Sequence, residues 1–403
     1  MTPLKRTLFD RIDLAHRDLS DSPMVFITGP RQAGKTTEVR QVSSHYYNWD
    51  TKETKLSYLK DPYFFRHEAD WIIFDEIHKR KRDWKKMMKG FYDSPTRNEN
   101  FIVTGSGRFN IFQKGGDSLQ GRYELYHLYP VTLGEWLGTS QEINGIKIDE
   151  FKNGVISFGK VSKESIEKEK HLIKFGGFPQ PLTKGSETFL NKWMDLYLQR
   201  LIEEDIRDFS RVELLDKIEL LARLLPERIS SPYSLKSLSE DIEVSRDSIQ
   251  NWVRLFEILY LGFTLPPYHH RIERAVKKER KWYFFQWAYV DHEGSRFENY
   301  LAVQLYTICQ YWRDEGLGVY ELYYVRDQDR REVDFLITKN LKPFLLIEAK
   351  NSPQDFPSSL KFYCQKFKVP GYLIYPDGPI KKELGFGYSL PSSVFLKTLC
   401  AAK

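Results

Sequence analysis

The stretch Met24-Val-Phe-Ile-Thr-Gly-Pro-Arg-Gln-Ala-Gly-Lys-Thr-Thr37 leaves a chain of this kind the least freedom: an apolar strand runs into a glycine-bounded loop and then a helix. It fits G-x-x-x-x-G-K-[ST] without a mismatch. Gly29 and Gly34 let the backbone turn its N–H groups inward around phosphates, Lys35 reaches the β- and γ-phosphates, and Thr36 offers a hydroxyl to Mg²⁺. The helix that follows presents its positive end to the same anion. Gly29, Pro30, Arg31, Gln32, Ala33, Gly34, Lys35, Thr36 and Thr37 are therefore expected to cradle ATP.

Two further stretches suit the same chemistry. Ile72-Ile-Phe-Asp-Glu76 is an apolar strand ending in two carboxylates, with Asp75 expected in the Mg²⁺ shell and Glu76 expected to orient or deprotonate the attacking water. Phe101-Ile-Val-Thr-Gly-Ser-Gly-Arg108 ends in hydroxyls, so Thr104 or Ser106 is expected to sense the γ-phosphate. Hydrolysis in an oligomer calls for an arginine that reaches a phosphate, usually a neighbour's; Arg122 is the candidate, with Arg108 on the loop before it.

At 403 residues the chain exceeds what one core usually serves, so several domains are expected. Aromatic residues make up 15% and charged residues 29%, a globular composition too aromatic for disorder. A formal charge of +6 allows a nucleic-acid partner without requiring one. Two basic clusters stand out, Lys79 to Lys89 and Lys277 to Lys281, and a solvated face explains each as well as a binding surface does. Three cysteines without C-x-x-C spacing encode neither a disulfide framework nor a zinc site, which suits a reducing cytoplasm. No apolar run approaches the roughly 18 residues of a membrane helix.

Along the chain, a helix is expected between Leu4 and Ser20, strands at 46–50, 71–74 and 101–104, and a helix over 84–92, which together describe a three-layer α/β nucleotide-binding domain. A polar stretch with turn signals covers 138–160, and Gly176-Gly-Phe-Pro179 precedes a long helix over 187–208, in a section expected to be a lid or connector. Residues 214–268 are mostly helical. Those from Ser234 to Glu257 have helix–turn–helix rhythm, with Ser245 as cap and Arg246, Gln250 and Arg254 exposed. After a basic link, 281–290 is a strand-like aromatic run and 295–311 an amphipathic helix; strands follow at 332–337 and 344–350.

The last two strands carry Asp334, Glu348 and Lys350, with Glu298 on the helix before them. Side chains two apart on a strand share a face, so these groups are expected on one edge of a bent hairpin. Asp334 and Glu348 could hold Mg²⁺ there, and Lys350 could position or activate a water, the layout for phosphodiester hydrolysis. A salt-bridged hairpin fits the same residues.

Gly29-Pro-Arg-Gln-Ala-Gly-Lys-Thr-Thr37, Tyr47-Asn-Trp-Asp50, Phe74-Asp-Glu-Ile-His78, Thr104-Gly-Ser106, Leu119-Gln-Gly-Arg122, Gly176-Gly-Phe-Pro179, Arg296-Phe-Glu-Asn299 and Glu332-Val-Asp-Phe335 with Ile347-Glu-Ala-Lys350 occur in the order of one family. The chain resembles prokaryotic AAA+-type P-loop ATPases fused to a C-terminal domain of unknown function similar to the PD-(D/E)xK nuclease superfamily. The resemblance implies a P-loop ATPase core over 1–135, a helical lid or connector over 136–210, a winged-helix-like domain over 211–270 and a restriction-endonuclease-like α+β domain over 271–403. It implies Lys35, Thr36, Asp75 and Glu76 as ATPase residues and Glu298, Asp334, Glu348 and Lys350 as a nuclease-like set. Where relatives end the strand expected at 282–287 in an acidic residue, this chain has Gln286. Two functions follow as expectations. One is an ATP-driven, Mg²⁺-dependent enzyme acting on DNA; the other is an ATPase switch or adaptor that binds DNA or a protein partner without cutting, in defence or signalling. Either reading admits a homo-oligomer.

Overall fold

A computed structural model describes residues 4, 6–12, 23–66, 71–80, 83–94, 99–105, 119–138, 148–153, 158–207, 214–269 and 279–400. They gather into two compact units, Arg6–Tyr129 with Ile258–Tyr260, and Pro130–Glu257 with Leu261–Lys403 and Met1–Lys5.

In the first unit the apolar strand before the glycine loop, β1 (Met24–Thr28), is buried along its whole length. Successive side chains leave a strand on opposite faces, so β1 serves two cores. Met24 and Phe26 pack with Trp84, Met88 and Phe91, whereas Val25 and Ile27 pack with Leu8 and Val39. The helices on these faces include α1 (Leu8–Arg11), α2 (Lys35–Val39), α3 (Lys52–Lys60) and α4 (Trp84–Tyr92). Strands β2 (Tyr46–Asn48), β3 (Trp71–Asp75), β4 (Asn100–Thr104) and β5 (Tyr123–His127) complete a sheet of order β2-β3-β4-β1-β5. Every neighbouring pair is parallel. Because β4 lies between β1 and β3, the C-terminal ends that carry the glycine loop, Thr104 and Asp75 are adjacent. The expected three layers are present, and α4 has the expected bounds. Strand β5 was not expected; it is an edge strand with an exposed Glu124 and lacks the continuous apolar run of its neighbours. Of the expected helix over 4–20, the turn Leu8–Arg11 is seen and 13–20 lie outside the described residues.

The second unit begins with α5 (Leu133–Leu137), closed by a reciprocal cap between Thr132 and Glu135. Helices α6 (Ile148–Asn153), α7 (Lys163–Phe175), α8 (Pro179–Lys184) and α9 (Glu187–Arg200) follow, and α9 runs on through a π-helical turn, Leu201–Ile206. Between α7 and α8, Gly176 has φ +80° and a Cβ there would overlap the Gln286 amide, so only glycine fits. After α10 (Leu215–Leu224), the helix–turn–helix expected over 234–257 is present as α11 (Leu235–Ile242) and α12 (Arg246–Ile258). The Ser245 hydroxyl accepts from the Ser248 N–H at 3.0 Å, as its capping role requires. An antiparallel hairpin, β6 (Gly262–Leu265) with β7 (Lys281–Phe284), comes next.

The expected strand over 281–290 therefore stops at Phe284 and pairs with β6 rather than with the C-terminal sheet. Beyond it the chain turns, because the Gln286 amide donates to the Phe175 carbonyl (3.3 Å) and the Trp287 indole to the Leu172 carbonyl (3.2 Å). Helix α13 (Glu293–Asp314) covers the expected 295–311 but is buried on nearly every side rather than amphipathic, as befits a helix threaded through a core. Around it stands a mixed six-stranded sheet of order β12-β13-β11-β10-β9-β8. Its strands are β8 (Tyr320–Arg326), β9 (Glu332–Lys339), β10 (Lys342–Ala349), β11 (Gly371–Tyr375), β12 (Lys381–Glu383) and β13 (Gly387–Pro391). The chain also supplies α14 (Ser358–Phe367), whose Leu360, Tyr363 and Cys364 pack on Leu336, Leu346 and Leu373, and α15 (Ser392–Cys400).

Candidate functional site

The loop after β1 has the conformation its glycines permit. Gly29 has φ +146°, and a Cβ there would lie 2.1 Å from the Leu128 carbonyl oxygen. Gly34 (φ +104°) and Gln32 (φ 61°) are also left-handed. Arg6, buried and not singled out from sequence, donates to the Ala33 carbonyl (2.8 Å) and the Tyr129 carbonyl (2.6 Å), which fixes the loop against the end of the sheet. Lys35 is buried, its Nζ donating to the carbonyls of Gly29 (2.9 Å) and Pro30 (2.7 Å). Arg31 is half-buried, and Thr37 at the end of the motif is exposed.

Asp75 is the meeting point. Its Oδ2 accepts from the Thr36 hydroxyl at 2.8 Å and from the Tyr46 hydroxyl. Its Oδ1 accepts from the Thr104 hydroxyl and from the Glu76 N–H at 2.9 Å. Thr36, Asp75 and Thr104, chosen separately from sequence, are thus joined directly. Tyr46 was not foreseen. It stands opposite Ile73 in the β2–β3 register, two residues before Asp75 on the same face, and Arg40 lies over its ring at 4.1 Å. Burial and the Asp75 carboxylate push the Tyr46 hydroxyl up to about 12, so it acts as a donor. Glu76 has φ 53°, and burial raises its carboxyl above the usual range, opposed by Lys35. A hydroxyl and a carboxylate already in contact are the donor set of an Mg²⁺ ion beside phosphates, so Thr36 and Asp75 fit that ion. Ser106 and Arg108 lie outside the described residues. Arg122 is at the other end of the sheet, paired with Asp93 (Nε to Oδ1 2.7 Å, Nη2 to Oδ2 3.0 Å).

The second unit brings Glu298, Asp334, Glu348 and Lys350 into one cluster. The Asp334 N–H donates to Glu348 Oε2 (3.3 Å), the Ala349 N–H to Asp334 Oδ2 (3.0 Å), and Lys350 Nζ to Glu348 Oε1 (2.8 Å). At its centre is a residue that sequence reasoning placed in a surface cluster. Lys281 is 0% exposed, and its Nζ lies 2.8 Å from Glu332 Oε1, 3.4 Å from Glu298 Oε1 and 3.5 Å from Asp334 Oδ1. The Tyr283 hydroxyl donates to Glu298 Oε1 at 2.6 Å. Burial pulls the lysine down, but Tyr283 and the surrounding carboxylates outweigh it and hold the ammonium well above its ordinary value. Burial beside Glu298 and Glu348 pushes the Asp334 carboxyl well above its ordinary value. The Lys281 ammonium already occupies the space among Glu298, Glu332 and Asp334, and among the described residues no three His, Cys, Asp or Glu side chains are grouped to hold a metal ion. This donor set does not fit an added Mg²⁺. Gln286 points to α7 and takes no part.

On α12, Arg246, Gln250 and Arg254 are exposed one turn apart, together with Asp247 and Asn251. Of the first basic cluster, Arg80 is tied to Asp83 and lies 4.1 Å over the Tyr58 ring. Lys81, Arg82, Lys277 and Lys278 lie outside the described residues. Among the described residues no helix is long and apolar enough to cross a membrane.

Residues 21–137 match the family described as AAA domain, residues 166–288 a domain of unknown function (DUF8612) and residues 293–383 another (DUF4143). The chain is 25% identical over 411 residues to the uncharacterized protein MJ1637 of Methanocaldococcus jannaschii, covering 87% of this chain and 83% of that one. It is 22% identical over 375 residues to the uncharacterized protein Rv2008c of Mycobacterium tuberculosis, covering 88% and 77%. Among solved structures it superposes loosely on the Thermotoga maritima RuvB Holliday junction branch migration motor, with a TM-score of 0.30, 14% identity and coverage of 64% of this chain and 85% of that one. AMPPCP-bound DnaA from Aquifex aeolicus gives a TM-score of 0.30, 14% identity and coverage of 62% and 86%. By its glycine loop, its parallel sheet and the family match, the segment 21–137 is similar to AAA domains and has a P-loop ATPase type of fold.

Proposed function

We propose that this chain binds ATP and hydrolyses it in its first unit, and that nucleotide state controls a second unit that engages DNA. The observation that carries the reading is Asp75, whose carboxylate receives the Thr36 and Thr104 hydroxyls directly beside the loop of Lys35. Thr36 and Asp75 are the residues that would hold Mg²⁺, which when bound neutralises phosphate charge. Lys35 exchanges the Gly29 and Pro30 carbonyls for phosphate oxygens. Glu76 takes the proton of the attacking water, a role suited to a carboxyl whose basicity burial has raised.

DNA is favoured over a protein partner by α12, which presents Arg246, Gln250 and Arg254 to solvent as the second helix of the helix–turn–helix. A non-cutting role is favoured over an endonuclease by Lys281, whose buried ammonium lies among Glu298, Glu332 and Asp334. Phosphate release and labelled-nucleotide binding by the purified chain test the first half. Lys35→Ala is expected to abolish both, and Glu76→Gln to keep binding while turnover falls roughly 100-fold or more. Turnover unchanged in both variants would sink the assignment. DNA retention that falls with salt and is lost in Arg246→Ala/Arg254→Ala tests the second half.

A further inference from the structure

Three segments remote in sequence meet at one ammonium group. Lys281 opens β7, Glu298 is on α13, and Glu332 and Asp334 are on β9. The lysine backbone is held on both sides, by Leu265 of β6 and by a bridge to Pro232, so its side chain enters the cluster from a fixed point. An ammonium without water is tolerated only where carboxylates surround it, and its three N–H donors match the three carboxylates found here. A divalent ion would have to sit among these same oxygens.

We propose that Lys281 Nζ is the resident cation of this cluster. It takes the place among Glu298, Glu332 and Asp334 that a divalent metal would need, and it ties the hairpin following the helix–turn–helix to α13 and to β9. The cluster is a clamp that works without metal. Glu348 and Lys350 close its other side as a separate pair.

Mn²⁺ alone, added to the nucleotide-free full chain, tests this through thermal unfolding and the electron paramagnetic resonance of bound Mn²⁺. The chains compared are wild type, Lys281→Met, Asp334→Asn and the double variant. Lys281→Met is expected to melt about 5 °C or more below wild type and to regain part of the loss in millimolar Mn²⁺. The double variant is expected to lose less than the sum of the single losses and to gain no more from Mn²⁺ than wild type does. Any Mn²⁺ uptake by wild type is expected to survive Asp334→Asn, which leaves Thr36 and Asp75 intact. Uptake abolished by Asp334→Asn, or a Lys281→Met chain that melts as wild type, would overturn the proposal. Should Lys281→Met fail to fold, wild type against Asp334→Asn still decides it.

Discussion

Glu169 on α7 is a carboxyl sealed from water, with the Tyr300 hydroxyl donating to Oε1 at 2.9 Å and Ser392 and Ser393 at the start of α15 beside it. Burial lifts it to about 8 against those hydrogen bonds, whereas in the unfolded chain it releases its proton near the ordinary value of 4.5. Between these values the folded chain holds a proton that the unfolded chain has lost. The stabilisation is therefore complete below the lower value and falls as pH rises toward the upper one, by about 1.4 kcal/mol per unit. Glu169→Gln is neutral at every pH, so its unfolding free energy in urea should be flatter than wild type from pH 5.5 to pH 8; parallel curves would mean that the carboxyl is ionised in the fold. Such residues are hard to read from sequence, because nothing local distinguishes Glu169 from its solvated neighbours Glu164 and Glu167. Thr36, Asp75 and Thr104 were legible because each ends an apolar strand or sits in a fixed motif. Tyr46 and Lys281 were not, since the role of each depends on which strand lies next to its own.

At the scale of elements, Arg296-Phe-Glu-Asn299 shows what a short motif does. Arg296 donates to the Val290 carbonyl (2.6 Å), Glu298 faces Lys281, and Asn299 accepts the Phe284 N–H (3.0 Å) while donating to the Phe284 carbonyl (2.7 Å). At Phe284, then, β7 has β6 on one side and an asparagine amide in place of a second strand on the other. Asn299→Leu keeps the volume but leaves a buried N–H and C=O without partners, which should cost about 2–5 kcal/mol. A denaturant midpoint within error of wild type would show that the amide is dispensable. The same element explains where sequence patterns stopped informing. Strands β1, β3 and β4 are buried on both faces and read as continuous apolar runs, and α4 has the period of a helix with one buried side. The run 281–290 is equally apolar, yet only four residues of it are strand, since Gln286 and Trp287 find their partners on α7. Composition marks such a segment as buried without saying against what.

At the scale of the whole molecule, the position of Arg122 bears on assembly. Strands β1 and β5 run parallel with Met24 opposite Tyr123 and Thr28 opposite His127, and the Met24 N–H donates to the Arg122 carbonyl at 2.8 Å. Arg122 therefore lies at the start of the strands and the glycine loop at their ends, five residues or roughly 15 Å away. An arginine side chain does not span that distance, so Arg122 cannot serve the loop of its own chain. If it is catalytic, the phosphate belongs to a second copy, and Asp93 holds it until that copy arrives. Exposed ion pairs of this kind contribute little, so the exchange is inexpensive. On this reading Arg122→Ala should bind ATP as wild type does but lose about 1000-fold in hydrolysis, the lower end of what such arginines supply. Lys35→Ala is inactive for a different reason, since it lacks a working loop but retains Arg122. Mixing the two inactive chains creates interfaces in which an intact loop faces an intact arginine, and phosphate release should recover in part. Wild-type turnover by Arg122→Ala, or no recovery on mixing chains that each form the same oligomer, would remove Arg122 from the mechanism and leave its pairing with Asp93 as a surface contact.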